Sequence, residues 1–451
     1  MILYYSLIFL FISIQIFEND NFINVQTSIG KIIGKVEKIE IEQGQLMNVD
    51  TFFGIPYAIP PIGNLRFEKT VPIDKNESKI IYALEQPKVC VQHHRLDNWT
   101  WDWYQYRFSS IGDPQIAGNF GYWDITEGLH WIKRNVKEFG GDPERITLFG
   151  YSAGSTAVTT LGVSPYTKDL FQQSIQMSGS IFTSRAANDR VISFSNNLFT
   201  KLDKDFLPED FTELIKVTKP KPTILGITEF DPLGYILMLG NNSLRHLCIP
   251  KEELNDFGIN NFKNYLIQKI VKKEYFGNFS ELVIEHISNF YLNYDKPDKL
   301  DNWFYLERIV HVKNFHDNDH RYLFRNPYSD YQYDENDLKM EALMTDFFSN
   351  FVIYGNPSTN KIIWPNNTIL KPFLHLNINL INNKINEDFP IERIKFWERM
   401  VEIYPIYDLI LGKKLNEENY EIYEKNLNVL YSHIYVFVLP LFPIEHNYKN
   451  I

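Results

Sequence analysis

The residue with the clearest chemical potential is Ser152, at the centre of the pentapeptide GYSAG at positions 150–154. A short β-rich run, RITLF at 145–149, precedes it, and small residues that suit a packed helix follow at 155–161. A serine on a tight turn between a strand and a helix raises its Oγ above the end of the sheet, where it can act as a nucleophile. The flanking glycines are expected to let the backbone crowd without Cβ clashes, and the helix N-terminus directs N–H groups toward developing negative charge. The spacing therefore favours a nucleophilic serine over a glycine turn with an incidental serine.

A nucleophilic serine needs a base, and the base needs a third group to orient it. On sheets that carry such a turn, the order along the chain is serine, acid, histidine. Among the downstream histidines, His316 lies in a polar loop, NFHDND at 314–319, after a stretch at 303–312 that is predicted as a strand. Catalytic residues are common on such loops. His286 falls instead in a helical pattern and is expected to be a packed or surface residue.

The candidate acid is Asp231, which closes the strand-like run ILGITEF at 224–230. Open α/β sheets place functional groups at the carboxyl ends of their strands, which favours this residue, and Glu229 is its competitor. Asp113 and Asp142 are expected to be turn and cap residues. Spacing alone thus leaves alternatives open for the acid and for the base.

Composition narrows the classes of partner. The 451 residues are 44% hydrophobic and 22% charged, as in globular proteins, and the formal net charge is −11. Phosphates and anionic lipids are bound by clustered lysine and arginine, so neither nucleic acid nor an anionic membrane is expected as the main partner. No metal-ligand spacing and no phosphate loop occurs in the sequence, so no metal and no other cofactor is expected. The sequence does not predict the oligomeric state.

Both ends of the chain are apolar. Residues 1–18 resemble a signal peptide in length and composition, with a signal anchor as the alternative, and five Asn-x-Ser/Thr sequons agree with a secretory route. The tail at 429–451 is apolar up to Pro443 but shorter than a bilayer-spanning helix. A buried terminal segment is therefore favoured over an anchor, and no stable membrane span is predicted. The two cysteines, Cys90 and Cys248, cannot build a disulfide framework, and the sequence leaves open whether they approach closely enough for a single bridge.

Periodicity outlines an alternating fold. A hairpin is predicted over 23–39 and an irregular loop over 52–67. A helix is predicted over 124–139, with Asp124 as its N-cap, Gly140 and Gly141 at its end, and an apolar face formed by Ile125, Leu129, Ile132, Val136 and Phe139. Further strands are predicted over 171–177 and 223–230, separated by helical stretches. Strands that alternate with helices predict a mostly parallel sheet covered on both faces.

Several blocks of the sequence form an ordered set: FGIPYA at 53–58, GNLRF at 63–67, NFGYWD at 119–124, FGGDP at 139–143, RITLFGYSAG at 145–154, QMSGS at 176–180 and YGNP at 354–357. Together they resemble the type-B carboxylesterase and cholinesterase family, which has the α/β-hydrolase fold. The resemblance implies a carboxylic ester hydrolase domain over 22–428 that acts on a small ester. It assigns the nucleophile to Ser152, the acid to Asp231, five residues after Gly226, and the base to His316, in HDNDHRYLF at 316–324. It also implies that the Ala153 N–H contributes to the oxyanion hole.

The sequence also departs from that family. Its members carry a strand ending in His-Gly-Gly-Gly, whose glycine N–H groups supply most of the oxyanion hole, but no histidine here is followed by glycine. Only 26 residues lie between Gln92 and Asn119, where the family places that strand. The fold is therefore expected to lack a central strand, which would leave neighbouring strand edges unpaired unless another segment replaces it. The partner expected soon after Cys90 is missing too, which leaves Cys90 unpaired, and Tyr151 stands where many members have Glu.

Two alternatives follow from the missing strand. Either the sequence omits coding segments of a normal enzyme, or the protein is a homologue with an intact triad and weak or no turnover. A serine esterase is favoured over an inactive binding or adhesion protein, because relatives with that role usually lose the serine or the histidine. All three triad residues are present in this chain.

Overall fold

A computed structural model of the chain describes residues 21–42, 45–66, 68–76, 78–87, 119–181, 205–209, 211–228, 249, 253, 256–293, 305, 322–323, 333–368, 371, 374–380, 383–387, 391–408, 413–414 and 434–439. The chain forms two compact units, residues 1–146 with 195–198 and residues 147–194 with 199–451. The second unit begins with the strand that leads to Ser152.

The described strands are β1 (Phe22–Thr27), β2 (Gly30–Glu42), β3 (Gln45–Thr51), β4 (Ile80–Tyr82), β5 (Thr147–Tyr151), β6 (Gln173–Met177), β7 (Thr223–Thr228), β8 (His375–Asn377), β9 (Lys384–Asn386), β10 (Tyr407–Asp408), β11 (Lys413–Lys414) and β12 (Ile434–Leu439). The described α-helices are α1 (Phe120–Asn135), α2 (Ala153–Val163), α3 (Phe211–Val217), α4 (Ile259–Tyr265), α5 (Lys273–Phe276), α6 (Ser280–Asn293), α7 (Glu335–Tyr354) and α8 (Ile391–Ile403).

The first unit is built on an antiparallel hairpin. β1 and β2 pair along the whole length of β1, which confirms the hairpin predicted over 23–39. β3 pairs antiparallel and β4 pairs parallel with β2. The core of this unit combines Ile32 and Ile81 from the sheet with Trp131 from α1. The loop after β3 is irregular apart from a short 3₁₀ turn at Gly63–Leu65, in agreement with its proline and glycine content.

The helix predicted over 124–139 begins four residues earlier than expected. α1 starts after Asn119, which is buried and has a φ of 58°. Asp124 lies inside the helix, where its Oδ1 accepts a hydrogen bond from Thr70 Oγ1 at 3.2 Å. The prediction that Asp124 is the N-cap is therefore wrong, because this contact draws a residue that is common at N-caps into the helix interior. The predicted end is confirmed: a 3₁₀ turn at Val136–Phe139 stops at Gly140, which has a φ of 84°.

The apolar face of α1 also differs from the prediction. The periodicity assigns Ile125 and Ile132 to the buried face, yet each is 38% exposed. Leu129 is buried, as predicted, and so is Trp131, which the predicted face did not include; the Trp131 ring lies 5.9 Å from the Phe139 ring. An aromatic ring buries more apolar area than an isoleucine side chain does. The packing of Trp131 against Phe139 therefore determines which face of α1 is buried.

The second unit contains a six-stranded sheet in the order β5-β6-β7-β12-β8-β9. All neighbouring strands are parallel except β8 and β9, which confirms the mostly parallel sheet predicted from the sequence. Among the described strands, β5 pairs only with β6. The strand that precedes Ser152 therefore lies at the edge of the described sheet, as the shortened fold predicts.

Helices cover both faces of this sheet. Alternate residues of a strand point to opposite faces. Along β6, Ile175 and Met177 pack in an apolar cluster with Phe347 of α7. Gln176 points the other way and accepts a hydrogen bond from Thr159 Oγ1 of α2 at 2.9 Å. The two helices therefore lie on opposite faces, as predicted.

A separate apolar cluster joins residues of α4, α5, α6 and α8 around Tyr291. His286 is an exposed residue of α6 whose Nδ1 lies 3.0 Å from the Tyr404 hydroxyl oxygen, which confirms it as a surface histidine. Tyr305 is the one described residue of the stretch 303–312, and it has helical geometry and packs against this cluster. That geometry does not agree with the strand predicted there.

The apolar C-terminal tail contributes a strand to the interior of the sheet. β12 pairs in parallel with β7 over its whole length and with β8 through Phe437 and Val438. Interior strands of parallel sheets are continuous apolar runs, and the sequence IYVFVL at 434–439 has this character. None of the described helices is long and apolar enough to cross a bilayer.

We expect Val438→Pro to destabilise the protein. Val438 pairs with Ile227 on one side and with Asn377 on the other, and proline removes an N–H that an interior strand requires. The expected loss in the free energy of unfolding is about 3 kcal/mol, measured by urea denaturation. Val438→Thr keeps the N–H and the β-branched shape and is the control. Equal stability of the two variants would show that this segment is not a sheet strand.

Candidate active site

The turn after β5 has an unusual backbone at the predicted nucleophile. Ser152 separates β5 from α2 with φ 59° and ψ −125°, outside the regions that residues with a side chain normally adopt. Such a conformation costs about 1–3 kcal/mol and persists only where neighbouring contacts hold it. The Ser152 N–H donates to the Met177 carbonyl at 2.9 Å, and the Ser152 carbonyl accepts the Thr156 N–H at 3.1 Å. Both backbone groups are thus fixed, while 7% of the residue's surface stays exposed.

The two glycines of the GYSAG motif differ in their surroundings. A Cβ on Gly150 would lie 2.2 Å from the Gly154 carbonyl oxygen and 2.7 Å from the Ser155 nitrogen. Among the described residues, no atom lies within 4 Å of a Cβ built on Gly154. The expectation that the flanking glycines relieve crowding is therefore confirmed at position 150, whereas no described neighbour crowds position 154.

A second turn supports the first, and sequence reasoning did not assign it this role. Ser178 follows β6 with a φ of 51°, and its N–H donates to the Gly226 carbonyl of β7 at 2.7 Å. Gly179 then passes so close to the nucleophile that a Cβ on it would lie 2.2 Å from the Ser152 carbonyl oxygen. The available signal was the glycine two residues after a strand in the QMSGS block. Backbone contacts thus join the ends of β5, β6 and β7 at one edge of the sheet.

The first N–H groups of α2 follow Ser152 directly. The Thr156 N–H makes the first hydrogen bond of the helix, so the N–H groups of the three residues from Ala153 to Ser155 have no acceptor within the helix. No acidic side chain lies in the first turn, so no carboxylate there offsets the positive end of the helix dipole. Because the Ser152 N–H is engaged by the sheet, Ala153 supplies the first amide after the nucleophile. The turn can therefore stabilise a negative charge that develops beside Ser152.

The other two predicted triad residues, Asp231 and His316, lie outside the described residues. β7 ends at Thr228, three residues before Asp231, and it runs parallel to β5 with β6 between them. The carboxyl end of β7 therefore lies at the same edge of the sheet as Ser152.

The chain after His316 is fixed at Tyr322, six residues further on. Tyr322 is 3% exposed and shares an apolar cluster with Met177, the acceptor of the nucleophile's N–H. Its hydroxyl donates to Asp337 Oδ1 at 3.1 Å, and Asp337 Oδ2 accepts the Asp334 N–H at 3.1 Å. Both carboxylate oxygens are thus engaged at the start of α7. Six residues of extended chain span at most about 20 Å, which bounds the distance from Tyr322 to the predicted base.

Asp142 has the structural role that the sequence predicts. Its Oδ1 accepts the Glu144 N–H at 2.9 Å, and its Oδ2 accepts from Arg145 Nε at 3.0 Å. The backbone hydrogen bond from Glu144, aided by the Arg145 guanidinium, lowers the pKa of Asp142 below its usual value. Within the described part of the chain, no group of three His, Cys, Asp or Glu side chains could hold a metal ion.

Comparison with known proteins identifies the class. The sequence matches the Carboxylesterase family over residues 21–101, 105–202 and 290–397. The protein belongs to this family and is a carboxylesterase-like protein with a shortened α/β-hydrolase fold.

Two nematode relatives are named as esterases. Esterase cest-33 of Caenorhabditis elegans is 27% identical over 391 residues, which cover 68% of this chain and 70% of that protein. Gut esterase 1 of Caenorhabditis elegans is 24% identical over 380 residues, which cover 61% of this chain and 66% of that protein. Neuroligin-2 of Homo sapiens is 37% identical over 134 residues, 30% of this chain and 16% of that protein. The chain thus spans about two thirds of the length of each of these two nematode esterases.

We expect Gly150→Ala and Gly154→Ala to have opposite effects on stability. The Cβ at position 150 would overlap backbone atoms of α2, which should lower the free energy of unfolding by about 3 kcal/mol. At position 154 the Cβ meets no atom of the described residues within 4 Å, and alanine is the better helix former, so stability should rise by up to about 1 kcal/mol. Urea denaturation measures both changes. If Gly154→Ala were as destabilising as Gly150→Ala, the geometry of this turn would be incorrect.

Proposed function

We propose that the protein hydrolyses small carboxylic esters through an acyl-enzyme intermediate, with Ser152 as nucleophile, His316 as base and Asp231 as the acid that orients the base. The observation that carries this proposal is the strained Ser152 backbone held between β5 and the N-terminus of α2. Strain of this kind clusters at active sites, where surrounding contacts over-determine the backbone. The relatives named as esterases support the same reaction class.

The proposed cycle has two halves. Ser152 Oγ attacks the ester carbonyl carbon while His316 takes its proton, and the Ala153 N–H donates to the resulting oxyanion. The C–O bond to the alcohol then breaks, and His316 returns the proton to the leaving alkoxide. In the second half, His316 deprotonates a water that attacks the acyl carbon, and the carboxylic acid leaves as Ser152 regains its proton. Asp231 keeps the imidazole in the required tautomer and stabilises the imidazolium.

The oxyanion hole limits the expected rate. The described turn offers the Ala153 N–H, because the Ser152 N–H is bound to Met177. The sequence has no His-Gly pair that could supply the glycine donors of the family. Loss of one such donor lowers turnover by about 10²–10³-fold. The proposed esterase is therefore slow compared with a family member that has every donor.

A catalytically inactive binding or adhesion protein is the second candidate. The observation in its favour is the similarity to neuroligin-2, a relative whose name does not denote an esterase. In such a protein the turn at Ser152 would serve only as scaffold. The two candidates differ in one measurable property, the reactivity of Ser152 Oγ.

We further propose that the protein is secreted and glycosylated, with residues 1–18 removed as a signal peptide. Of its sequon asparagines, Asn76 and Asn278 are exposed in the structure, as acceptors for a glycan must be. The hydrolase domain in this proposal covers 22–428, and the tail at 429–451 adds its strand to that domain. The net charge of −11 argues against nucleic acid as a partner.

Labelling with a fluorophosphonate tests the nucleophile. We expect the full-length secreted protein to become phosphonylated at Ser152, which peptide mass spectrometry locates, and Ser152→Ala to abolish the label. Ser164→Ala is the matched control, because Ser164 is a buried serine at the other end of α2 and its loss should leave labelling unchanged. A folded wild-type protein that takes up no label would contradict the esterase and favour the adhesion protein.

Two pairs of substitutions test the base and the acid. We expect His316→Ala to lower the initial rate of p-nitrophenyl acetate hydrolysis by about 10⁴-fold or more, because loss of the base of a triad costs at least as much as loss of its acid, whereas His320→Ala, four residues further on, should retain it. Asp231→Asn should cost about 10⁴-fold, because the imidazole loses its required tautomer, whereas Glu229→Gln should have little effect. The reverse order within either pair would transfer the role to the other residue.

A further inference from the structure

Helix α2 is tied to the turn after β6 by hydroxyl groups at its N-terminal end. The Ser155 hydroxyl, in a residue that is 0% exposed, donates to the Gly179 carbonyl at 2.7 Å. The Thr156 hydroxyl donates to the Ser180 carbonyl at 3.2 Å. These two hydrogen bonds are here called the hydroxyl clamp.

The contact between α2 and the sheet remains polar beyond the clamp. Thr159 Oγ1 donates to Gln176 Oε1 at 2.9 Å, and Gln176 Nε2 donates to Ser174 Oγ at 3.1 Å. Ser174 Oγ in turn lies 2.9 Å from Thr223 Oγ1 of β7. Buried polar groups are costly unless their partners are correctly placed. This interface therefore fixes the position of α2 on the strands more strictly than an apolar contact, which has no preferred direction.

Gly179 links the clamp to the nucleophile. Its carbonyl accepts the Ser155 hydroxyl, and its Cα lies against the Ser152 carbonyl so closely that a Cβ would be 2.2 Å from that oxygen. Because the two backbones are in contact, a shift of Gly179 would displace the strained backbone of Ser152. The same shift would break the hydrogen bond from the Ser155 hydroxyl and release the first turn of α2, which carries the Ala153 N–H.

We propose that Ser155 is a positioning residue for the reaction of Ser152. Its hydroxyl holds Gly179 against the nucleophile and fixes the first turn of α2, so that Ser152 Oγ and the Ala153 N–H keep their mutual placement. This role rests on the proposed ester hydrolysis. Loss of the hydroxyl should lower kcat by about 10- to 100-fold with little change in KM, because displaced groups act in the transition state rather than in substrate binding.

The chain contains a closely matched control. Ser164, like Ser155, is 0% exposed and donates its hydroxyl to a backbone carbonyl, that of Phe206, at 2.8 Å. It lies at the C-terminal end of the same helix. Ser155→Ala and Ser164→Ala thus remove the same group from equally buried sites at opposite ends of α2. A purely structural role for Ser155 predicts similar consequences for both variants.

The test compares the two variants with the wild type as full-length secreted proteins. It measures kcat and KM for p-nitrophenyl acetate, the second-order rate of fluorophosphonate labelling, and hydrogen exchange of the Ser152 and Thr156 amides, which are hydrogen-bonded in the turn. Thr156→Val, which removes the weaker bond of the clamp while keeping the side-chain shape, is a milder variant should Ser155→Ala fail to fold. It is expected to slow labelling by a smaller factor than Ser155→Ala.

The expected result is slower turnover and labelling, and faster exchange of the Ser152 and Thr156 amides, in Ser155→Ala but not in Ser164→Ala. Wild-type rates in a folded Ser155→Ala, or equal losses in both variants, would overturn the positioning role. If the wild type itself takes up no label, the ester hydrolase proposal fails separately. Amide exchange then decides whether the clamp orders the turn, and unchanged exchange in Ser155→Ala would reject it.

Discussion

The close contact between the Ser152 carbonyl and Gly179 limits how β5 and β6 can end. Two residues with left-handed backbone, Ser152 and Ser178, meet beside it. Each such residue costs about 1–3 kcal/mol, whereas a backbone hydrogen bond contributes roughly 1 kcal/mol. The N–H groups of both serines are bonded, to Met177 and to Gly226, so these two bonds offset only part of the cost. Packing beneath the turns supplies the rest, and the geometry of the nucleophile is a property of three adjacent strands rather than of a pentapeptide.

The backbone geometry at Ser152 also depends on β12, the strand formed by the C-terminal tail. Gly226, whose carbonyl accepts the Ser178 N–H, pairs with Phe437 of β12 on the other side of its strand. An interior strand of a sheet has its N–H and C=O groups paired on both sides, so without β12 the strand β7 would become an edge. The match to the Carboxylesterase family ends at residue 397. A strand from beyond that match therefore completes the sheet that holds the nucleophile.

Local sequence signals were sufficient for the elements around Ser152. Alternating apolar residues located the N-terminal hairpin, and turn glycines located the end of the 3₁₀ turn after α1, at Gly140. The same kinds of signal located the strand and the helix on either side of the nucleophile. They failed where a distant contact decided the outcome. Asp124 has the residue type of an N-cap but bonds Thr70, which lies 54 positions away in sequence. Likewise, no local pattern in the C-terminal tail could indicate that it pairs with β7, because that pairing joins residues about 200 positions apart.

The same contrast applies to the three predicted triad residues. Local sequence signals locate the turn at Ser152, whereas Asp231 and His316 lie far along the chain from it. The described contacts that hold the turn at Ser152 involve Met177, Gly179 and, through Ser178, Gly226. None of these residues is the predicted base or acid, so the turn alone is compatible with an inactive relative. The hydrogen bond from Tyr322 to Asp337 is more informative. A buried carboxylate that binds a hydroxyl contributes little net stability, and two apolar side chains of similar size would pack at least as well. What such a bond provides is a fixed direction for the chain. It fixes the direction of the chain at Tyr322, and because six extended residues span at most about 20 Å, it limits how far from Tyr322 the predicted base can lie, in an enzyme and in an inactive relative alike.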